Sequence, residues 1–119
     1  MRFYVIIGPE VHLLHERLRY GAMWILQTSG PDAEPLTFRL APGAVKTVGR
    51  APRADFIVDV ALVSRLHCRL SAENGRLEVV DLSSTNGTYV NDKRVQRAVL
   101  ATGDRLRVGR LELTIEQHT

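Results

Sequence analysis

From Met23 to Glu116 the chain breaks into many short apolar stretches parted by turn signals, with no helical period in that region. Chain interrupted that often cannot bury a helical face. It can bury the inward side of short strands, whose side chains alternate between two faces. Candidate strands run over Met23–Thr28, Leu36–Leu40, Val45–Val48, Phe56–Val58, His67–Ser71, Leu77–Leu82, Thr88–Val90, Arg105–Val108 and Leu111–Glu116. The punctuation is Gly30-Pro31-Asp32, Ala41-Pro42-Gly43, Glu73-Asn74-Gly75, Asn91-Asp92, Thr102-Gly103-Asp104 and Gly109-Arg110. Asn74-Gly75 is the strongest hairpin signal, since both residues accept the positive φ of a tight hairpin turn. In the last stretch Leu111, Leu113 and Ile115 alternate with Glu112, Thr114 and Glu116, giving one core face and one wet face.

About ten to eleven short strands in a chain of this length imply two packed antiparallel sheets, because a single sheet would leave an apolar face uncovered. The expected fold is an all-β antiparallel sandwich over residues 23–119. Residues 1–22 read as an N-terminal extension: Pro9 and Glu10 could open a short helix, Val11, Leu14 and Leu18 share one of its faces, and Gly21 could end it. At 119 residues there is room for one core and no second domain. No apolar run approaches the roughly 18 residues of a membrane helix. The opening Arg2–Gly8 stretch resembles a short signal-peptide core but is interrupted by Pro9, Glu10 and His12 and lacks a small-residue cleavage site, so no signal peptide is expected. Cys68 is the only cysteine, so an internal disulfide is impossible and a cytoplasmic chain is expected.

A net charge of +3 raises the question of nucleic acid, but Arg94, Arg97, Arg105, Arg107 and Arg110 alternate with apolar residues instead of forming a run. That is the pattern of a solvated strand face, so no nucleic-acid partner is expected. His12 and His15 have the spacing of helix-borne metal ligands without a third ligand, so neither a metal nor another cofactor is expected.

The chemistry concentrates between Gly49 and Asn91, in three polar loops between apolar strands. Gly49-Arg50 offers a sharp backbone turn and a planar fork of donors suited to phosphate oxygens. Ser64-Arg65-Leu66-His67 and Ser83-Ser84-Thr85-Asn86-Gly87-Thr88 follow. A Ser64, His67 and Asp81 hydrolytic set is disfavoured, because residues 64 and 67 on a strand face different ways and no G-x-S-x-G elbow is present. Cys68 is expected to point into the sandwich, and Trp24 and Phe38 to belong to the core.

Together the Gly-Arg, Ser-x-x-His and Asn-Gly-Thr elements, closed by the Gly103-Asp104 turn, resemble the forkhead-associated (FHA) domain family over roughly Trp24 to Glu116. The resemblance implies a module that binds phosphothreonine peptides in serine/threonine kinase signalling and catalyses no reaction. Its partner would be a threonine-phosphorylated protein; oligomeric state stays open. Carried over, Arg50 and Ser64 become phosphate contacts, assisted by the Thr85 hydroxyl and by the side or main chain of Arg65. Asn86 would hold the peptide backbone. Gly49, His67 and Gly87 become loop framework, His67 bracing the loops through hydrogen bonds. Leu62 lies where the family often reads the third residue after the phosphothreonine, which implies an apolar preference. Four positions depart from the family pattern: Ala54 for a frequent Asn, Phe56 for Ile, Asp92 for the Gly after Asn91, and Thr85 for the commoner Ser, which keeps the hydroxyl. The division of labour is physically sound, since a phosphate of nearly two negative charges needs several charge-assisted donors, whereas an amide can donate and accept at once. The rival readings are a phosphate-independent scaffold of the same fold and, further off, a nucleic-acid-binding domain. A tail of residues 1–22 without serine or threonine offers no phosphate acceptor for self-recognition.

Overall fold

The structure, a computed structural model, describes residues 23–30 and 35–118. It consists of eleven strands: β1 Met23–Thr28, β2 Thr37–Leu40, β3 Val45–Gly49, β4 Phe56–Ile57, β5 Cys68–Glu73, β6 Arg76–Asp81, β7 Thr88–Val90, β8 Lys93–Val95, β9 Arg97–Leu100, β10 Arg105–Val108 and β11 Leu111–His118. They form a six-stranded sheet in the order β2-β1-β11-β10-β7-β8 and a five-stranded sheet in the order β4-β3-β5-β6-β9. The expected short helix falls in residues 1–22, outside the described residues, as do His12 and His15. Among the described residues there is no helix long and apolar enough to cross a membrane.

The alternation read in the sequence puts the core between the sheets. Leu111, Leu113 and Ile115 are buried while Glu116 is exposed, and Trp24, Leu26, Phe38 and Leu40 face Val48, Leu70, Leu77 and Val79. Trp24, Phe38 and Cys68 are therefore core residues. Burial also pushes the Cys68 thiol up to about 12, assisted by the negative charge of Asp81, so this sulfur is a small hydrophobe and not a nucleophile. Asn74 and Gly75 have φ values of 56° and 73° and turn β5 into β6 with Glu73 opposite Arg76. Both residues carry the positive φ that a two-residue hairpin turn requires.

Three details differ from the sequence reading. β8 and β9 were not among the candidate strands, because Lys93, Arg94, Gln96 and Arg97 carry no inward alternation; both are edge strands, where charged side chains are tolerated. β4 pairs with β3 in parallel, Val48 opposite Phe56, in an otherwise antiparallel arrangement. So short a return is possible because Asp55 ties the loop down. Its carboxylate accepts from the Thr47 N–H at 2.8 Å and the Thr47 hydroxyl at 3.0 Å, and its own N–H donates back to that hydroxyl at 3.0 Å. Finally, Phe56 lies flat on Phe38 with ring centroids 4.4 Å apart, so the departure from Ile at this position joins the two sheets through an aromatic stack.

The course of the strands sends the turns after β5, β7 and β9 to one end of the sandwich. The segments after β3, β4 and β6 and the β10–β11 turn go to the other. Every residue singled out as functional lies at that second end. The scaffold holding it depends on the core, so Leu113→Ala, which empties a fully buried position in β11, is expected to lower the unfolding free energy by about 2–5 kcal/mol in urea denaturation.

Candidate functional site

At the end of β3 the chain comes into direct backbone contact with the segment that leads into β5. Arg50 N–H donates to Ser64 O at 3.0 Å, Ala51 N–H to Arg65 O at 3.0 Å, and His67 N–H to Val48 O at 2.8 Å. This approach exists only because residue 49 is glycine: a Cβ there would stand 2.0 Å from Arg65 O and 2.9 Å from Leu66 Cα, closer than real atoms come. Arg50 follows at once and is exposed, with its Nε donating to Val63 O at 2.6 Å. That bond fixes the direction of the guanidinium and leaves its terminal nitrogens unpaired among the described residues.

His67 is completely buried and joins two loops. Its Nδ1 accepts from the Ser64 backbone N–H at 3.0 Å and its Nε2 lies 2.8 Å from Gly87 O. Since a carbonyl only accepts, the ring proton sits on Nε2 and the tautomer follows from the two partners. Both ring nitrogens are thus engaged by main chain, and neither reaches the Ser64 hydroxyl. The Ser64 Oγ instead accepts from Thr85 N–H at 3.0 Å, which leaves its own hydrogen free to donate to a ligand. A nucleophile-and-base pair is not what this geometry builds.

The loop between β6 and β7 is wound around a buried carboxylate. Asp81 Oδ1 accepts from the Ser84 hydroxyl at 2.5 Å and the Thr88 hydroxyl at 2.7 Å, while Oδ2 accepts from Ser84 N–H at 3.1 Å. The Ser84 Oγ in turn accepts from Gly87 N–H at 2.9 Å. Burial pushes the Asp81 carboxyl up, but the Ser84 and Thr88 hydrogen bonds outweigh it and hold the group below its ordinary value. Asp81 and Ser84 were missed as site framework. The signal was present, since a carboxylate three residues before a serine is a common way to cap a turn.

The opposite wall, residues 60–63, is held from three sides. Asn86 Nδ2 donates to Leu62 O at 3.0 Å, Arg110 N–H donates to Ala61 O at 3.0 Å, and Arg50 donates to Val63 O as above. Gly109, also missed, lets the β10–β11 turn press in: a Cβ there would come within 2.7 Å of the Leu62 carbonyl carbon and Val63 N. The result is an open depression of about 300 Å³ lined by Arg50, Asp59, Leu62, Ser64, Thr85 and Asn86, with 53% of Leu62 exposed at its edge. Arg65 is exposed beside it, and neither its side chain nor the Thr85 hydroxyl makes a hydrogen bond among the described residues. A larger hollow of about 550 Å³ lies on the outer face of the five-stranded sheet between Val45, Arg69 and Val99, remote from all of these groups. Of the arginines considered for nucleic acid, Arg105 pairs with Asp92 at 3.1 Å and Arg107 lies over the Tyr89 ring at 4.2 Å, so they form no free cationic run. No cluster of potential metal ligands occurs among the described residues.

The profile of the FHA domain family matches residues 46–109. The glycogen accumulation regulator GarA of Mycobacterium tuberculosis is 39% identical over 98 residues, covering 82% of this chain and 59% of that protein. The oxoglutarate dehydrogenase inhibitor of Corynebacterium glutamicum is 36% identical over 98 residues, covering 82% of this chain and 67% of that protein. The chain thus spans about six-tenths of the length of the mycobacterial regulators it matches. Among solved structures, one described as an analysis of phosphothreonine-dependent FHA domain interactions superposes with a TM-score of 0.71 at 31% identity, covering 83% of this chain and 98% of that one. The FhaA FHA domain complexed with the intracellular domain of Rv3910 gives 0.68 at 32% identity, covering 80% and 99%.

Two expectations follow from the framework. Gly49→Ala should displace the Ser64–His67 segment and lower the melting temperature, whereas the same change at Gly43, whose surroundings are open, should act only through its positive φ and cost less. The lowered carboxyl of Asp81 contributes stability that is present above its unfolded value, about pH 4, and is lost as pH falls through the folded value. Asp81→Asn should therefore destabilise the protein at pH 7 by about 1–3 kcal/mol and narrow the difference between melts at pH 7 and pH 3. Asp55, also lowered, chiefly by its Thr47 backbone bond, keeps part of that difference.

Proposed function

Since the chain belongs to the FHA domain family, we propose that the depression between Arg50, Ser64 and Asn86 is a phosphothreonine-peptide site through which it binds a threonine-phosphorylated protein in serine/threonine kinase signalling. The observation that carries this reading is the state of the donors around the depression. Arg50 is aimed by its Nε bond to Val63 O, Ser64 accepts from Thr85 and so has a hydrogen to give, and the Thr85 hydroxyl and the Arg65 side chain are unengaged. A phosphate monoester presents three strongly accepting oxygens and close to two charges, which is what a cluster of uncommitted donors around one open space accommodates.

The neighbouring groups suit a peptide. Asn86 spends one amide hydrogen on Leu62 O, leaving its other hydrogen and its Oδ1 to meet a peptide N–H and C=O together. Leu62 at the rim offers an apolar surface to a residue further along the peptide, and we assign it the third position after the phosphothreonine. His67, Gly49 and Gly87 act one step back, by holding the loops that carry these groups. The relatives named as a glycogen accumulation regulator and an oxoglutarate dehydrogenase inhibitor support a regulatory binding role in place of catalysis.

A phosphothreonine peptide is expected to bind with a Kd of about 1–10 μM, or about −7 to −8 kcal/mol, and its unmodified twin at least a hundredfold more weakly. Fluorescence anisotropy measures both, and equal binding of the two would leave a phosphate-independent scaffold as the better reading. Arg50→Ala should weaken phosphopeptide binding by about 2–5 kcal/mol with little change in melting temperature, because the side chain is exposed and makes one intramolecular bond. His67→Ala should do the reverse in order of severity, losing stability first, because it leaves the half-buried Ser64 N–H and the buried Gly87 O without partners.

A further inference from the structure

One arginine beside the site stands apart from its neighbours. In the β7–β8 hairpin Arg94 lies opposite Tyr89, and its side chain runs back toward the loop that carries Thr85 and Asn86. A Cβ built on Gly87 would stand 2.7 Å from Arg94 Nε, 3.0 Å from Cζ and 3.3 Å from Cδ, so the guanidinium lies across the face of Gly87. Gly87, at φ 87°, is both the residue that turns the loop and the flat place on which this side chain rests. Arg105 and Arg107 of the adjoining strand are committed to Asp92 and to the Tyr89 ring. Arg94 is exposed and has neither a hydrogen bond nor an ion pair among the described residues.

We propose that Arg94 is a specificity residue, which reads an acidic side chain of the phosphopeptide on the Asn86–Gly87 side of the site. The inference rests on the phosphothreonine reading above and adds to it a sequence preference. Consecutive Cα atoms are about 3.8 Å apart and an extended peptide advances about 3.3 Å per residue. A guanidinium lying on the residue after Asn86 is therefore within reach of a carboxylate roughly two to four residues from the phosphothreonine. The planar fork suits a carboxylate, and resting on Gly87 limits its freedom, so less entropy is lost on pairing than for a free surface arginine. The Asp59 carboxylate, in the lining of the depression itself, makes the charge around the site uneven. An acidic residue is attracted where Arg94 lies and repelled where Asp59 lies. The preference is thus confined to one flank of the peptide.

The test uses the full chain and a set of phosphothreonine peptides in which each flanking position is in turn alanine or glutamate, at an ionic strength near 0.15 M. Glutamate at one position, or two adjacent positions, on a single flank is expected to tighten binding about threefold to fivefold, the range of a well-formed exposed ion pair. Arg94→Gln should abolish that gain while leaving affinity for the all-alanine phosphopeptide within about twofold. Arg76→Gln makes the same charge change at the other end of the sandwich and should leave the gain intact. A gain spread over both flanks, or one that survives Arg94→Gln, would overturn the assignment and point to general attraction between charges. So would the absence of any glutamate-dependent gain. Each of these outcomes is read on phosphopeptides that bind; failure of every phosphopeptide, the all-alanine one included, would sink the phosphothreonine reading instead.

Discussion

The two hydrogen bonds of the buried His67 ring hold together the end of this domain that carries the proposed site. They connect the segment before β5, through Ser64 N–H, to the segment before β7, through Gly87 O, and these belong to different sheets. A sandwich needs only apolar contact between its layers, and apolar contact sets a distance without setting a register. An imidazole with a partner on each nitrogen sets direction as well. A buried N–H or C=O left without a partner costs about 1–3 kcal/mol, so sliding one loop past the other is penalised on both sides. Ser64 and Thr85, the hydroxyl-bearing residues on those two loops, are thereby held in register, and their own bond at 3.0 Å closes the ring.

Around this bridge the chain solves a crowding problem with absent side chains. Gly49 and Gly109 let the β3 end and the β10–β11 turn come into contact with the 61–66 segment, at distances no Cβ could share. Exposed cations are then presented by backbone that is itself pinned, which is the requirement for recognising a multiply charged group without losing much entropy on binding. Asp81, the single buried carboxylate among the described residues, has its oxygens consumed by Ser84 and Thr88.

Much of this was legible in the sequence, for reasons that differ from element to element. Leu111–Glu116 was readable because burial on one face forces a two-residue alternation, and Asn74-Gly75 because few residue pairs accept its backbone angles. Arg50, Ser64, His67, Thr85 and Asn86 were recognisable as a family pattern, but the bonds from Arg50 to Ser64 and from Thr85 to Ser64 join residues far apart in the chain, which spacing alone cannot reveal. β8 and β9 escaped because edge strands need not be apolar, and the parallel β3–β4 pair escaped because nothing in a two-residue strand states its direction. Gly109 looked like ordinary turn punctuation, since a close approach is visible only once the approaching segment is in place.

The positions of backbone strain complete the picture. Leu62 and Ser83 adopt left-handed conformations, with φ of 69° and 57°, although neither is glycine, asparagine or aspartate. Such residues cost of order 1–3 kcal/mol each and persist only where their surroundings leave no alternative. Leu62 is enclosed by three bonds, from Asn86 to its own carbonyl, from Arg110 to Ala61 and from Arg50 to Val63, each contributing roughly 1 kcal/mol and together matching the strain. Ser83 is followed by the Ser84 bonds to Asp81, which offset its own cost in the same way. Leu62 lines the depression and Ser83 opens the loop that carries Thr85 and Asn86, and no strand residue of either sheet shares this conformation. Two of the three bonds that contain the strain at Leu62 come from the side chains of Arg50 and Asn86, so fixing that backbone and aiming those two side chains are the same act.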